Sequence, residues 1–581
     1  MKKVLIIFAL LLSSIVALAG TPKLAPELQG RTGLPASVIV QFRTAPTQLH
    51  LNLLRGKHAV GIQSFSIIHA VRAVIPAVAL PGLARNPEVT YISEDRKLTR
   101  ASTTTDFYDN ALNAPYAWQL GYDGSGVGVA VIDSGINEGT STSTNNDLTV
   151  AGSAKNYRIV YSQSFLPPIS PSKSSSPIDQ YGHGTHVAGM IAGNGASSLC
   201  PTCFITFTGI APNANIINLR VLDAYGNGND SYVISALQTA ISLKSKYNIR
   251  VINLSLGRPV YESYQQDPLC QAVEQAWKAG IVVVVAAGNN GRDNSAATNG
   301  YATIAAPAND PYVITVGAMK PMGTGTRSDD LIASYSSKGP TLFDHIVKPD
   351  VVAPGNRIIS AVAGNGYIYT TYPMNQIATK YYNSKGTNSV SSAYYQMSGT
   401  SMAAAAVSGA VAVLLKAQPN LTPDQVKARL MKTAYKTFSQ FSSATDPNTG
   451  ATYNSQYDAF TIGAGYVDLQ AALSSTEVAN LPAKSPIAHY DATSQSVYFL
   501  PDSSAVWGTS AIWGTSAVWG TGVFVGSQSS GWGSPSVWGT SAVWGTGTDS
   551  GFSAVWGTSA VWGTSNKDTS EGAALLVTGE N

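Results

Sequence analysis

The chain has 581 residues, enough for several domains around one large core. Its formal net charge is only +3, with no outstanding cluster of Lys and Arg, which argues against nucleic acid or an anionic membrane as a partner. Three cysteines, at 200, 203 and 270, are too few for a disulfide-built scaffold.

Residues 1–19 read as an export signal rather than as part of the fold. Lys2 and Lys3 form a basic start, Val4 to Leu12 an apolar core, and Ala17-Leu18-Ala19 a small-residue cleavage site, so a cut is expected after Ala19. The apolar run falls short of the ~18 residues that a bilayer span requires, and no later run reaches that length. Gly20, where a lipid-anchored protein would carry Cys, speaks against a lipid anchor. The protein is expected to be secreted, into the medium or the periplasm.

Residues 20–105 form a small segment of their own. Val38–Phe42, Ala70–Val74 and Val89–Ile92 read as strands, and Val78–Arg85 as a helix whose start Pro81 weakens. From 106 to 475, short Val/Ile-rich runs alternate with helix-like stretches. The clearest runs are Gly126–Ile132, Ala214–Val221, Val251–Leu254 and Ile281–Ala286. Nearly continuous apolar strands are those buried on both faces, and their alternation with helices implies an α/β fold with a doubly wound, mainly parallel sheet. Chemistry in such sheets sits beyond the carboxyl ends of the strands. Asp133 and the segment Ser255-Leu256-Gly257 each follow directly on a predicted strand.

Cys200 and Cys203 admit a redox or zinc half-site, or a local disulfide. No second ligand pair follows at zinc spacing, and export favours the disulfide. Cys270 lies in the apolar, helix-like stretch Leu269–Trp277 and reads as core. After a linker over 476–503 the composition changes. A Ser-Ala-Val/Ile-Trp-Gly-Thr hexapeptide recurs at Trp507, Trp513 and Trp519 and again around Trp538, Trp544, Trp556 and Trp562. Between 504 and 565 Asp549 is the only charged residue, and a tail of 566–581 closes the chain. Short repeats suggest stacked units that could bind the cell envelope or a polysaccharide, while Gly-Thr in every unit equally suits a low-complexity spacer. Both readings stay open.

Three islands carry the chemistry. Asp133 stands in Val-Ile-Asp-Ser-Gly, His183 in His-Gly-Thr-His-Val-Ala-Gly, and Ser401 in Gly-Thr-Ser-Met-Ala. Each offers one member of an Asp–His–Ser nucleophile system among small neighbours. Serine needs an adjacent base to attack at neutral pH, and the same triad recurs on unrelated folds in different chain orders. Ser401 opens an Ala-rich stretch, Met402–Leu415, which would place it at a helix N-terminus. His186, one turn after His183, is expected to pack inward.

This order, with these flanks, resembles the subtilisin-like serine proteases, the subtilases. Gly209–Pro212, Ala286–Asn289, Ser336–Pro340, Lys348–Gly355 and Gly463–Asp468 also look like blocks of that family, so the resemblance covers roughly Ala117 to Leu473. It implies a serine endopeptidase acting on polypeptides, with Asp133, His183 and Ser401 catalytic and Asn289 as oxyanion donor. Ser255, Leu256 and Gly257 would line a substrate pocket, with Gly226 and Gly228 on a second edge and Ala305 and Ala306 near the pocket floor. The Tyr-rich stretch Tyr367–Tyr395 would wall the cleft. Residues 20–105 are similar to the family's inhibitory propeptide, an α+β domain removed by cleavage between Leu98 and Asn113. No cofactor is implied for catalysis. A structural calcium is left open, with Asp147 resembling one ligand while its usual partner loop is replaced by the Cys200–Cys203 segment. Ala405 and Ala406 depart from the family pattern, which carries Pro and His there.

Overall fold

The computed structural model describes residues 23–95, 104–491, 496–499 and 580, apart from 26–27, 66–68, 106, 138–145, 151–156, 169–174, 296–297, 440 and 447–448. The export signal expected over 1–19 and the Trp repeats expected over 504–565 lie outside the described residues. The chain divides into two compact units, Met1–Ala101 and Ser102–Asn581.

In the smaller unit, β1 (Ala36–Phe42) alternates buried and half-buried residues, as a strand with one covered face must. Together with α1 (Gln48–Arg55), β2 (Val60–Phe65), β3 (Ala70–Ile75), α2 (Leu80–Ala84) and β4 (Val89–Glu94) it builds an antiparallel sheet in the order β2-β3-β1-β4. Leu54, Leu80 and Leu83 from the helices join Val38, Val40, Val71 and Ile92 in its core. Pro81 falls in the first turn of α2, where its missing N–H costs nothing. Strand β2 has no buried residue, so no apolar alternation announces it in the sequence.

The larger unit is organised by an eight-stranded sheet. Its strands are β5 (Gly128–Asp133), β6 (Ile159–Ser164), β7 (Asn215–Arg220), β8 (Ile249–Leu254), β9 (Val282–Ala286), β10 (Ile314–Lys320), β11 (Leu331–Ile332) and β12 (Val351–Pro354). The path runs β11-β10-β9-β8-β5-β7-β6, with β12 paired to β10. Every pairing is parallel except that of β10 with β11. The expected mainly parallel α/β sheet is present. β5, β9, β10 and β12 are buried at every position, which accounts for the nearly unbroken Val/Ile/Ala runs of β5, β9 and β12.

The helices that position the site are α3 (His183–Ala192), α4 (Asp230–Tyr247), α5 (Pro268–Lys278) and α6 (Thr400–Ala417). Among the described residues α6 is the one helix long and apolar enough to cross a membrane, and it lies buried in the core. Ala403 to Ala406, Gly409, Ala410 and Ala412 are all buried, and small side chains let α6 approach β8, β9 and β10 closely. Ala405 and Ala406 are packing residues of this kind.

One polar thread crosses that apolar contact. Ser408 Oγ donates to Asn253 Oδ1 (2.9 Å), Asn253 Nδ2 donates to Ser255 Oγ (3.0 Å), and Ser255 Oγ donates to the Ser401 carbonyl (2.9 Å). Asn253, Ser255 and Ser408 are fully buried, so each link replaces water that cannot enter. Ser408→Ala should strand Asn253 Oδ1 without a donor and cost about 1–3 kcal/mol, the desolvation penalty of one buried polar group. Thermal melting of the larger unit is the check, and a melting temperature equal to that of the unsubstituted chain would refute the thread's structural weight.

Candidate active site

Three neighbouring strands end at the site. Strand β5 ends on Asp133, β8 leads into Ser255-Leu256-Gly257, and β9 leads into Gly288-Asn289. In the β5–β8 register Val131 is level with Asn253, which sets Ser255 level with Asp133 one strand away. On the other side, β7 pairs with β5 and runs on toward Gly226 and Gly228. The chain thus gathers these residues at the carboxyl edge of one sheet.

His183 is the first residue of α3, and its start is fixed by a carboxylate that sequence reasoning overlooked. Asp179 accepts from the N–H of Gly182 (2.7 Å), the N–H and Oγ1–H of Thr185 (2.8 and 2.7 Å) and Ser134 Oγ–H (2.8 Å). It is therefore the helix's N-terminal acceptor and its link to the β5 turn. Burial pushes its carboxyl above the ordinary value, opposed by those four donors. The only signal was an Asp four residues before His183. Gly184 makes the approach possible, since a Cβ there would lie 2.2 Å from the Gly135 carbonyl oxygen.

The imidazole faces Asp133. His183 Nδ1 lies 2.8 Å from Asp133 Oδ1 and 3.0 Å from Oδ2, and Ser134 N–H donates to the same Oδ1 at 2.7 Å. Burial disfavours the imidazolium, but the Asp133 charge and hydrogen bond outweigh it and raise the His183 pKa above its ordinary value. His186 behaves otherwise. Its Nε2 lies 3.1 Å from the carbonyls of Ile358 and Tyr395, and burial, with repulsion from His183, lowers its pKa to about 3. It is a neutral, inward-packed donor.

Ser401 stands in the first turn of α6. Its hydroxyl donates to the Ser255 carbonyl (3.2 Å) while Ser255 Oγ–H donates back to the Ser401 carbonyl, so the two segments hold each other. Asn289 Oδ1 accepts from Thr400 N–H (2.9 Å) and Thr400 Oγ1–H (3.0 Å), and Gly288 N–H donates to Thr400 Oγ1 (3.2 Å). The Asn289 oxygen is thereby committed, which leaves its Nδ2 amide as the free donor on that side. A Cβ on Gly399, at φ +148°, would lie 3.3 Å from this Nδ2. Thr400, like Asp179, had not been singled out in the sequence.

The expected substrate elements gather around this group. Ala306 pairs with Arg258 through two backbone bonds (3.0 and 2.8 Å), so Ala305 and Ala306 adjoin the Ser255–Gly257 segment. Arg258 is bound to Asp267 (2.8 Å) and to Asp230, the first residue of α4, just past Gly228. A Cβ on Gly226 would lie 2.7 Å from the Tyr181 ring. Tyr181 in turn stacks on Tyr367 (6.2 Å between centroids) and lies 6.4 Å from the His183 ring. Tyr367, the head of the Tyr-rich stretch, thus packs on the Tyr181 ring that adjoins His183, and its N–H donates to the Gln180 carbonyl (2.9 Å).

Cys200 and Cys203 form a disulfide, and Cys270 is a buried free thiol donating to Asn309 Oδ1 (3.3 Å). Asp147 does not fit a calcium ligand. Its Oδ1 accepts from Ser197 N–H and its Oδ2 from Tyr394 O–H, each at 2.7 Å, so donors stand where a cation would need lone pairs. Among the described residues no group of three or more His, Cys, Asp or Glu is arranged to hold a metal.

A family model described as the Subtilase family matches residues 124–465. The serine protease AprX of Bacillus subtilis (strain 168) is 39% identical over 267 residues, covering 44% of this chain and 54% of its own. Subtilisin E of the same strain is 32% identical over 433 residues, covering 74% of this chain and 92% of its own. The alkaline protease of Alkalihalobacillus alcalophilus is 31% identical over 373 residues, or 64% of this chain and 76% of its own. The chain thus spans about half the length of AprX but nearly all of Subtilisin E. With its parallel α/β sheet and this match over more than half its length, the chain belongs to the subtilase family of serine endopeptidases.

Proposed function

We propose that the protein is a secreted endopeptidase, made as a precursor that removes its own N-terminal domain, and that it cuts polypeptides through an acyl-enzyme on Ser401. The observation that carries this reading is the hydrogen bond of His183 to Asp133, formed at the strand edge that also bears Ser255, the partner of Ser401. His183 takes the Ser401 proton as the hydroxyl attacks the scissile carbonyl, then returns it to the leaving amine. Asp133 holds the ring in the needed tautomer and balances the imidazolium. The Asn289 amide and the Ser401 backbone N–H, one of the donors a helix leaves unpaired in its first turn, take the oxyanion. Water then releases the acyl group by the same relay.

An extended substrate would lie between Ser255–Gly257 and Gly226–Gly228, pairing as an added strand. The small Ala305 and Ala306 suit a large apolar residue before the cut. Residues 1–19 are assigned as the export signal and 20–105 as the propeptide, an intramolecular inhibitor. Residues 106–475 are assigned as the catalytic domain, 476–503 as a linker, 504–565 as the repeats and 566–581 as the tail.

Secreted wild type should begin between Leu98 and Asn113, whereas Ser401→Ala should retain the segment from Gly20. The same N-terminus on both proteins refutes self-processing. A serine-reactive phosphonate should label Ser401 in the processed wild type, and an unlabelled Ser401 sinks the nucleophile assignment.

The raised His183 pKa sets the acid limb. Protonated imidazole cannot accept the Ser401 proton, so kcat/KM should fall as pH drops through a value above the ordinary histidine figure of about 6.5. Asp133→Asn removes the two larger effects that oppose burial and leaves only the Asp179 charge against it. The limb should then move to lower pH, with kcat down about 10⁴-fold. A limb that stays put in pH-rate profiles would remove Asp133 from this role. Asn289→Ala should lower kcat by about 10²–10³, a range taken over from a subtilisin donor, with KM nearly unchanged. Steady-state kinetics that place the loss in KM instead would make Asn289 a binding residue.

A further inference from the structure

The last described residue of the chain is buried in the larger unit, far in sequence from everything it touches. Glu580 is 4% exposed. Its Oε1 accepts from Arg292 Nη2 (3.0 Å), Ser334 N–H (2.8 Å) and Ser334 Oγ–H. Its backbone is read as well. Glu580 N–H donates to Asn356 Oδ1 (2.9 Å) and Asn356 Nδ2 donates to the Glu580 carbonyl (3.0 Å). A buried carboxylate is tolerated only where charge and hydrogen bonds meet it, and here a guanidinium and two further donors do so.

The receiving residues are themselves fixed. Arg292 is shared with Asp446 (2.8 Å), donates from Nε to Ser334 Oγ (2.6 Å), and lies 4.4 Å from the centroid of the Tyr453 ring. A planar guanidinium held on three sides is preorganised for a carboxylate. Each receiving residue also borders the candidate active site. Arg292 is three residues past Asn289, Ser334 precedes Tyr335, and Asn356 follows Gly355. The Gly355 carbonyl accepts from Gly399 N–H (2.8 Å) and Tyr335 O–H (2.9 Å).

We propose that Arg292, Ser334 and Asn356 form a receptor for an acidic peptide residue, read through both its carboxylate and its backbone, and that its ligand is the protein's own Glu580. Glu580 lies 81 residues beyond the end of the strand Ser496–Phe499. Closure entropy grows only with the logarithm of the intervening chain length, so a contact this far along the sequence is compatible with a single ion-paired anchor. The inference is independent of the protease reading.

Hydrogen exchange read by mass spectrometry tests it on the full chain, with Ser401→Ala as background to prevent self-cleavage. Two amides report directly: that of Ser334, whose acceptor is the Glu580 carboxylate, and that of Glu580, whose acceptor is Asn356. Both should exchange at least tenfold more slowly than in an unstructured peptide. Glu580→Ala should speed Ser334 exchange at least tenfold, and Asn356→Ala should do the same for the Glu580 amide, with the amides of Gly399 and Thr400 unchanged in both. Glu580→Ala removes one carboxylate and leaves the apolar core of the larger unit untouched. A Glu580 amide exchanging at the free-peptide rate overturns the proposal, as does a Ser334 amide indifferent to Glu580→Ala.

Discussion

The close contact of an Ala-rich helix with a parallel sheet governs the rest of the molecule. Helix α6 lies against β8, β9 and β10 with almost no exposed surface, so its N-terminus has a single place to emerge. Packing of this density does not shift continuously, and a displacement of α6 would have to move whole layers of side chains. The direction of the chain does the rest. Parallel strands deliver all their carboxyl ends to one edge, and there Ser255 and Asn289 meet the first turn of α6 while Asp133, one strand over, holds His183. The Ser408–Asn253–Ser255–Ser401 thread sets the register of this contact, because apolar packing alone would tolerate a helix sliding along its small-residue face.

The same logic of buried charge met by fixed donors appears at the opposite end of the strands. Asp350 just precedes β12 and is 1% exposed, beside Lys348 and Lys427 at 0%. It lies 2.7 Å from Lys348 Nζ and 3.2 Å from Lys427 Nζ, and it accepts from Thr315 N–H and Ser485 Oγ–H. Burial alone would raise its pKa, but the two ammonium groups outweigh it and hold the carboxyl low, while Lys427 is pushed down to about 7 by its own burial. Two lysines on one carboxylate do not make a cheap core. What they supply is position, joining β12, the head of β10 and the segment around Ser485 at one point.

How much of this could be read from the sequence depended on distance along the chain. Asp133, His183, Ser401 and Asn289 stood in short islands whose small neighbours and preceding strand runs were local facts. So did β5, β7, β8 and β9, whose apolar runs are nearly unbroken because both faces are covered. Strand β6 was missed for the converse reason, since Ile159–Ser164 has no fully buried position and its Tyr-Ser-Gln-Ser end reads as loop. β12 hid inside a motif noticed for its residues rather than its conformation. Asp179, Thr400 and Arg292 were illegible because their roles are made by partners on other elements. Asp179 acts on the β5 turn, Thr400 on a residue 111 positions away, and Arg292 on one 288 away.

Asp147 shows why a matched residue does not carry its role with it. Around it the chain converges oxygens as a cation site does, yet a side chain already supplies the charge. The Arg158 guanidinium, 4% exposed, donates to the carbonyls of Thr149 (3.1 Å), Ala214 (2.9 Å), Asp147 (2.8 Å) and Ala192. Burial lowers its pKa to about 10, with Asp147 and Asp123 opposing, so it stays protonated at neutral pH. Five fixed N–H donors on a planar cation suit diverging carbonyls, and the guanidinium charge would repel a metal ion brought to the same oxygens. The Asp147 carboxylate, turned instead to Ser197 and Tyr394, then joins the Cys200–Cys203 neighbourhood to the strand Val390–Met397 that leads into the Gly399-Thr400-Ser401 turn. A position that resembles a metal ligand is thus a hydrogen-bonded strut between two loops.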